Sequence, residues 1–196
     1  MNEQELSGVD GQTVGVAIAV PEPYGSYLRE RRASFGDPEA HRIPPHITIL
    51  PPTLVADRCR DDVVRHLERV AASSHAFTVH LRGTASFRPV SPVVFVQLVA
   101  GIAECERLER AVRTGALERD LAFYYHPHVT VAHHLTDEQL DLAVETLEGF
   151  ECAFEVTELQ LYEHGEDGVW RPHRSFTFGL PPLTAPASAP STRARR

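Results

Sequence analysis

Cysteine is scarce in this chain of 196 residues: three in all, at 59, 105 and 152, an odd number with no Cys-x-x-Cys pair. That count excludes a disulfide framework and a structural zinc site, and it points to a reducing compartment. Long apolar runs are missing too. The longest, Val93 to Ala103, is interrupted by Gln97 and Gly101 and is too short to span a bilayer. Met1 to Asp10 is polar and acidic, unlike a signal peptide, so a soluble cytoplasmic protein that avoids membranes is expected. Positive charge is also short, with a net charge of −8. No overall basic field exists to grip duplex DNA or long RNA, and a small or short phosphorylated partner fits better.

What the chain does have is enough apolar material, 42% of its residues, to bury a full core as one domain or two small lobes. It also carries one short pattern twice: Pro45-His46-Ile47-Thr48-Ile49 and Pro127-His128-Val129-Thr130-Val131. On a β-strand, residues i and i+2 share a face. In each copy the imidazole and the hydroxyl therefore point one way while Ile47 and Ile49, or Val129 and Val131, pack the other way. The bare His-x-Thr tripeptide is weak, since composition alone supplies roughly one per chain of this make-up. His134-Leu135-Thr136 is such a decoy: it lacks the proline and runs into Asp137 and Glu138, which read as a helix start. Requiring the proline and both flanking apolar residues lowers the chance expectation to well under about one in a hundred.

Periodicity along the chain alternates strands and helices. Strands are expected over Thr13–Val20, His46–Leu50 (stopped by Pro51-Pro52), Phe77–Phe87, Val93–Val99, His128–Ala132, Phe154–Tyr162 and Arg174–Phe178. Helices are expected over Tyr24–Ser34, Asp57–Ala72, Ala103–Leu121 and Thr136–Leu147, the last opened by a capping box of Thr136 and Gln139. Motif strand, amphipathic helix, strand, turn, strand occurs from His46 to Val99 and again from His128 to Leu180. Neither lobe has the means to bury both faces of its sheet alone. A pseudo-two-fold pair packed together solves this and sets like strands opposite each other across a groove. The expected class is α+β and bilobal, each lobe a mainly antiparallel sheet with helices on its outer face, around a central cleft. The domain is taken as residues 11–180, and 181–196 as a disordered Pro/Ala/Arg tail.

The paired motifs and the repeat resemble the 2H phosphoesterase superfamily, in particular its 2′-5′ RNA ligase-like, cyclic-phosphodiesterase branch. The resemblance runs from about Thr13 to Leu180. It implies a metal-independent enzyme without cofactors that hydrolyses 2′,3′-cyclic phosphates of nucleotides or RNA ends, or related 2′-5′ linkages. His46, Thr48, His128 and Thr130 take the catalytic positions, and the partner is a small nucleotide or short RNA end met by a monomer. Many relatives follow the second motif with Ala-Arg, whereas Ala132 is followed here by His133. The resemblance further implies that ring opening leaves a 2′-phosphate with His46 as acid, although the near-symmetric sequence does not itself separate acid from base. Alternatives on the same cleft are 2′-5′ RNA end-joining and a non-catalytic nucleotide- or RNA-binding module.

The residue types suit the chemistry. Histidine, with an unperturbed pKa near 6.5, allows one ring to be neutral while the other is charged near neutral pH. Threonine hydroxyls can donate to non-bridging phosphate oxygens as charge builds. Tyr125 and His126 are further candidates for substrate contact: Tyr125 could stack on a base or close the preceding helix as a buried aromatic, and His126 shares the alternation of His128. His126, His128, His133 and His134 have the look of a metal cluster. No carboxylate or cysteine stands at ligand spacing, however, and strand alternation separates the rings, so no metal site is expected.

Overall fold

The computed structural model describes residues 10–179; the expected tail over 181–196 lies outside the described residues. Strand β1 (Gly11–Ala19) leads through helix α1 (Tyr24–Ser34) to β2 (His46–Ala56), which carries the first motif. Helix α2 (Arg60–Ala72), β3 (Phe77–Ser86), β4 (Val93–Ala100) and α3 (Ile102–Val112) lead to β5 (His128–His133), which carries the second. Helix α4 (Asp137–Leu147) and strands β6 (Glu151–Val156), β7 (Glu158–His164) and β8 (Trp170–Thr177) complete the chain. The strands form one curled antiparallel sheet in the order β6-β3-β4-β5-β2-β1-β7-β8. The expected α+β class is the one observed.

The motif strands are neighbours at the middle of this sheet, joined by the register pair Ile47↔Val129. Three further strands lie to each side of this pair. Ile47, Ile49, Val129 and Val131 are fully buried with Leu28 of α1, Leu67 of α2, Leu108 of α3 and Leu140 of α4, so all four helices cover the face these residues occupy. His46, Thr48, His128 and Thr130 alternate with them and are only half-buried, on the opposite, uncovered face. Period-two alternation thus separates core from cleft. The heptad-like spacing of Val63, Leu67 and Val70 does the same job on α2.

Four elements differ from their sequence reading, the first being β8, which is expected over Arg174–Phe178 and begins four residues earlier, at Trp170. Phe154–Tyr162 is not one strand: it breaks at Thr157, with β6 pairing β3 on one side of the sheet and β7 pairing β1 on the other. Apolar alternation changes phase at the break, from Phe154 and Val156 to Leu159 and Leu161, and that phase change is the local mark of the boundary. Strand β2 does not stop at Pro51-Pro52 but runs on to Ala56. The two prolines fall where the β1/β2 register slips, between the pairs Val16↔Leu50 and Val14↔Thr53, and a bulge has no ladder bond for a proline to break. The helix expected over Ala103–Leu121 ends at Val112, and a single 3-10 turn at Gly115–Leu117 follows. By contrast α1 has the expected bounds, and the Thr136/Gln139 capping box forms.

Candidate functional site

Each motif histidine is oriented by the same local device. His46 Nδ1 donates to the carbonyl oxygen of Pro44 at 2.7 Å, and His128 Nδ1 donates to the carbonyl oxygen of His126 at 2.7 Å. A carbonyl can only accept, so in both rings the Nδ1 carries the proton and Nε2 is the free nitrogen. The proline between carbonyl and histidine (Pro45, Pro127) has no N–H and favours an extended residue before it, which turns that carbonyl towards the ring. His46 Nε2 also lies 3.1 Å from Thr48 Oγ1. Ile47↔Val129 is the register pair between β2 and β5, and the polar residues that flank it on each strand are His46 and Thr48, and His128 and Thr130. The four candidate residues therefore flank the seam, two on each strand.

Both rings have pKa values held below the ordinary 6.5. Burial is the main cause for His46, with Arg32 adding to it and the Pro44 carbonyl opposing it. Burial likewise leads for His128, where the bond to His126 opposes it and the charges of His126 and His46 add to it. Two imidazoles that feel each other's charge are a coupled pair. Protonation of one disfavours protonation of the other.

The surroundings of the two rings are unlike. His128 stands edge-on to Phe87, with ring centroids 5.0 Å apart, and tilted against Phe95 at 5.0 Å. His126 is stacked beside it at 6.1 Å. His46 opens instead into a cavity of about 290 Å³ lined by Gly15, Leu50, Pro52, His133, Tyr162 and Trp170. Trp170 packs across Gly15 so closely that a Cβ there would lie 3.3 Å from the indole. Burial pushes the Tyr162 hydroxyl up to about 12, and that hydroxyl donates to Gln160 Oε1 at 2.6 Å. This cavity, and the part of Tyr162 and Trp170 in it, is not readable from the motifs. The one local signal is a glycine inside a strand that is otherwise β-branched and apolar, which marks close approach of another group.

The remaining candidates fall in different places. Tyr125 is half-buried against the core, and its hydroxyl donates to the Thr48 carbonyl at 2.9 Å, bracing β2 beyond the point where β5 stops pairing. Tyr124 beside it is fully exposed. His126 flanks His128 as described. His133 and His134 stack on each other with centroids 3.7 Å apart, at the far end of β5 from His126 and His128. Among the described residues no three His, Cys, Asp or Glu side chains converge in a way that could hold a metal ion. The decoy His134 leaves the strand with a positive φ of 54°, and its Thr136 caps α4.

A family model described as the 2′-5′ RNA ligase superfamily matches residues 20–168. The chain belongs to this superfamily. That span contains α1, both motif strands and β7. Among curated relatives, a Bacillus thuringiensis (strain Al Hakam) protein named "Putative phosphoesterase" is 28% identical over 145 residues, covering 73% of this chain and 84% of its own. A Bacillus cereus (strain B4264) protein of the same description matches equally well, 28% over 145 residues. Among solved structures, E. coli LigT superposes in its apo form with a TM-score of 0.63 at 19% identity, covering 87% of this chain and 99% of that one. The same protein complexed with 3′-AMP gives a TM-score of 0.62 at 18% identity, with coverage of 87% and 100%. At these identities the structural likeness is one of fold. No helix among the described residues is long and apolar enough to cross a membrane.

Proposed function

We propose that the chain hydrolyses cyclic phosphodiesters, 2′,3′-cyclic phosphates of nucleotides or RNA ends in particular, by paired-histidine acid–base catalysis. The observation that carries this reading is the duplicated orientation of the rings: Pro44 and His126 carbonyls bind the two Nδ1 atoms and leave two Nε2 atoms on one face of the sheet. Family membership and the phosphoesterase names of the relatives support the reaction class. The E. coli LigT complex with 3′-AMP supports a nucleotide as the kind of substrate.

In the proposed reaction the phosphorus lies over the seam. A neutral imidazole takes a proton from water through Nε2 as the water oxygen attacks in line, forming the new P–O bond. The opposite P–O bond breaks, and the second imidazole, charged at Nε2, gives its proton to the leaving ribose oxygen. A ring-opened monoester results. Thr48 and Thr130 donate to the non-bridging oxygens as their charge grows. His46 serves as acid because the ribose that carries the leaving oxygen then lies on the cavity side, where Trp170 and Tyr162 offer flat apolar faces to a base. The second motif then activates water from the open side. No step calls for a metal or cofactor, and the enzyme works as a monomer in the cytoplasm.

The test is a product screen of the purified chain against 2′,3′-cyclic nucleotides, short 2′-5′ oligonucleotides and ADP-ribose cyclic phosphate. Release of a 2′-phosphomonoester from the first class is expected. Binding without turnover of any of them overturns the reading in favour of a binding module, and joining of 5′-hydroxyl to cyclic-phosphate ends overturns it in favour of a ligase.

A further inference from the structure

Helix α1 brings a buried cation, through Asp37, next to His133, one of the residues that line the cavity. Only three charged side chains among the described residues are fully buried, and two of them, Arg32 and Asp37, form one pair. Arg32 is 4% exposed, and its Nε donates to Asp37 Oδ2 at 2.8 Å. Asp37 has other obligations. Its Oδ1 accepts from the Glu39 backbone N–H at 2.9 Å, and its Oδ2 accepts a second time, from the His133 backbone N–H at 3.1 Å. The carboxylate therefore holds the guanidinium by one nitrogen only.

The two terminal nitrogens of Arg32 have no hydrogen-bond partner among the described residues. Neither is sealed away: among the described residues the one fully enclosed side-chain atom without a partner is Arg119 Nε, so the Arg32 termini keep some access to solvent. A guanidinium kept largely out of water with its fork of donors unused is a receptor for an oxyanion, because planar two-point donation to carboxylate or phosphate is what that group does best. Its location is fixed by Asp37. Arg32 Nε and the His133 backbone N–H donate to the same oxygen, Oδ2, so the guanidinium lies beside the backbone of a residue that lines the cavity. The field agrees with this placement. Burial is the leading depressant of the pKa at both His46 and His133, and the charge of Arg32 adds to it at each.

We infer that Arg32, with His133 beside it, forms an anion-binding site for a phosphoryl group at the His46 end of the cavity. The inference rests on the proposed function only for the choice of phosphate over other oxyanions. Two sources share this chemistry: the reacting phosphate itself, or a second phosphate on the same substrate. Asp37 holds the fork in place, and His133 presents a ring that gains a proton as negative charge arrives.

Trp170 is the only tryptophan of the chain and lines the same cavity, so its fluorescence reports occupancy without any need for turnover. The full chain is titrated with inorganic phosphate, adenosine 2′-monophosphate, adenosine 2′,5′-bisphosphate and, as the uncharged control, adenosine, at constant ionic strength. Saturable binding of the phosphorylated ligands is expected, weakened about tenfold or more by Arg32→Lys, which keeps the charge and loses the fork, and by several-fold in His133→Gln. If Arg32 holds the reacting phosphate, mono- and bisphosphate lose equally. If it holds a second phosphate, the advantage of the bisphosphate disappears. Arg32→Gln removes the charge altogether; should that variant not fold, Arg32→Lys and His133→Gln still decide the matter. Folded variants that bind every ligand as the parent does overturn the inference. Turnover with phosphate binding indifferent to Arg32 sinks this site alone, whereas Arg32-dependent binding without turnover of any cyclic phosphate sinks the proposed function alone.

Discussion

Ile47 stands opposite Val129, and that one pair is the whole backbone register between β2 and β5. It brings together two motifs that the sequence keeps far apart. Because it is a single pair, the strands diverge on either side of it, and Tyr125 fills part of the gap by bonding to Thr48.

If both rings act, His46→Ala and His128→Ala each lower kcat by about 10²–10⁴-fold, the usual cost of losing a general acid or base. The double variant loses far less than the product of the two, since groups acting as a unit are non-additive. His134→Gln, in the decoy tripeptide, leaves activity within about threefold of the parent because that ring is neither on the seam nor needed for the cap. Steady-state kinetics on folded variants checks all three. One motif histidine proving dispensable would make the second motif a structural echo.

Thr48→Val and Thr130→Val keep the β-branched shape and remove the hydroxyl. Both should fold normally and lose about 10–10³-fold in kcat, the range below or near that of an oxyanion donor. Full activity in both would remove the hydroxyls from the reaction.

The pH dependence has a definite sign. Both imidazoles have folded pKa values below 6.5, so in the free enzyme kcat/KM should follow a bell centred on the acid side of that value. Binding of an anion favours the charged ring and shifts the kcat bell upwards. Folding stabilises the neutral form of each ring, so this stability is present above pH 6.5 and is lost as pH falls through the folded values. Thermal midpoints should decline below pH 6.5 by an amount that shrinks in a His46→Gln/His128→Gln double variant. A rate profile flat from about pH 5 to 9 would remove both rings from acid–base work.

Chelation is a separate check. Activity should survive dialysis against EDTA and gain nothing from added Zn²⁺ or Mg²⁺, because imidazole and hydroxyl groups fill every proposed role. Loss on chelation with recovery on one metal would point instead to a histidine-bound ion.

The cavity makes its own forecast. Trp170→Ala should raise KM for a cyclic nucleotide by roughly tenfold or more, in line with about 1–3 kcal/mol for a base stacked on an aromatic ring, while kcat changes little. Gly15→Val places carbon 3.3 Å from the indole and 3.5 Å from the Leu50 carbonyl, so it should do the same by displacing Trp170. Unchanged KM in both would mean that no base occupies this cavity.

Local features were readable from the sequence because their causes are local. Alternation at His46–Ile49 and His128–Val131 puts the polar pairs on one face, and Thr136 with Gln139 closes a cap within four residues. What stayed hidden depends on distant chain. The break at Thr157 exists because β6 and β7 answer to different partners, and nothing in that segment states which. Prolines that end most strands are accommodated at 51 and 52 by a register slip whose other half is at Gly15. Trp170 comes to the His46 cavity from β8, and Arg32 of α1 comes to Asp37 beside His133, through pairings that motif spacing does not encode.

The order of synthesis gives the sheet's strand arrangement a consequence in time. The half of the sheet containing His46 is built from both ends of the described chain, since β1 pairs with β7 through Val14↔Glu163 and β7 with β8 through His164↔Trp170. The half containing His128 needs only β3 to β6 and is closed earlier. A nascent chain that has just left the ribosome through Val156 therefore has both His–Thr pairs and their seam, but presents β1 as a bare edge with no Trp170 wall. Such an edge is open to pairing with other strands until the final hairpin arrives. The residues proposed for bond breaking are assembled first, and the pocket that selects what reaches them is finished last.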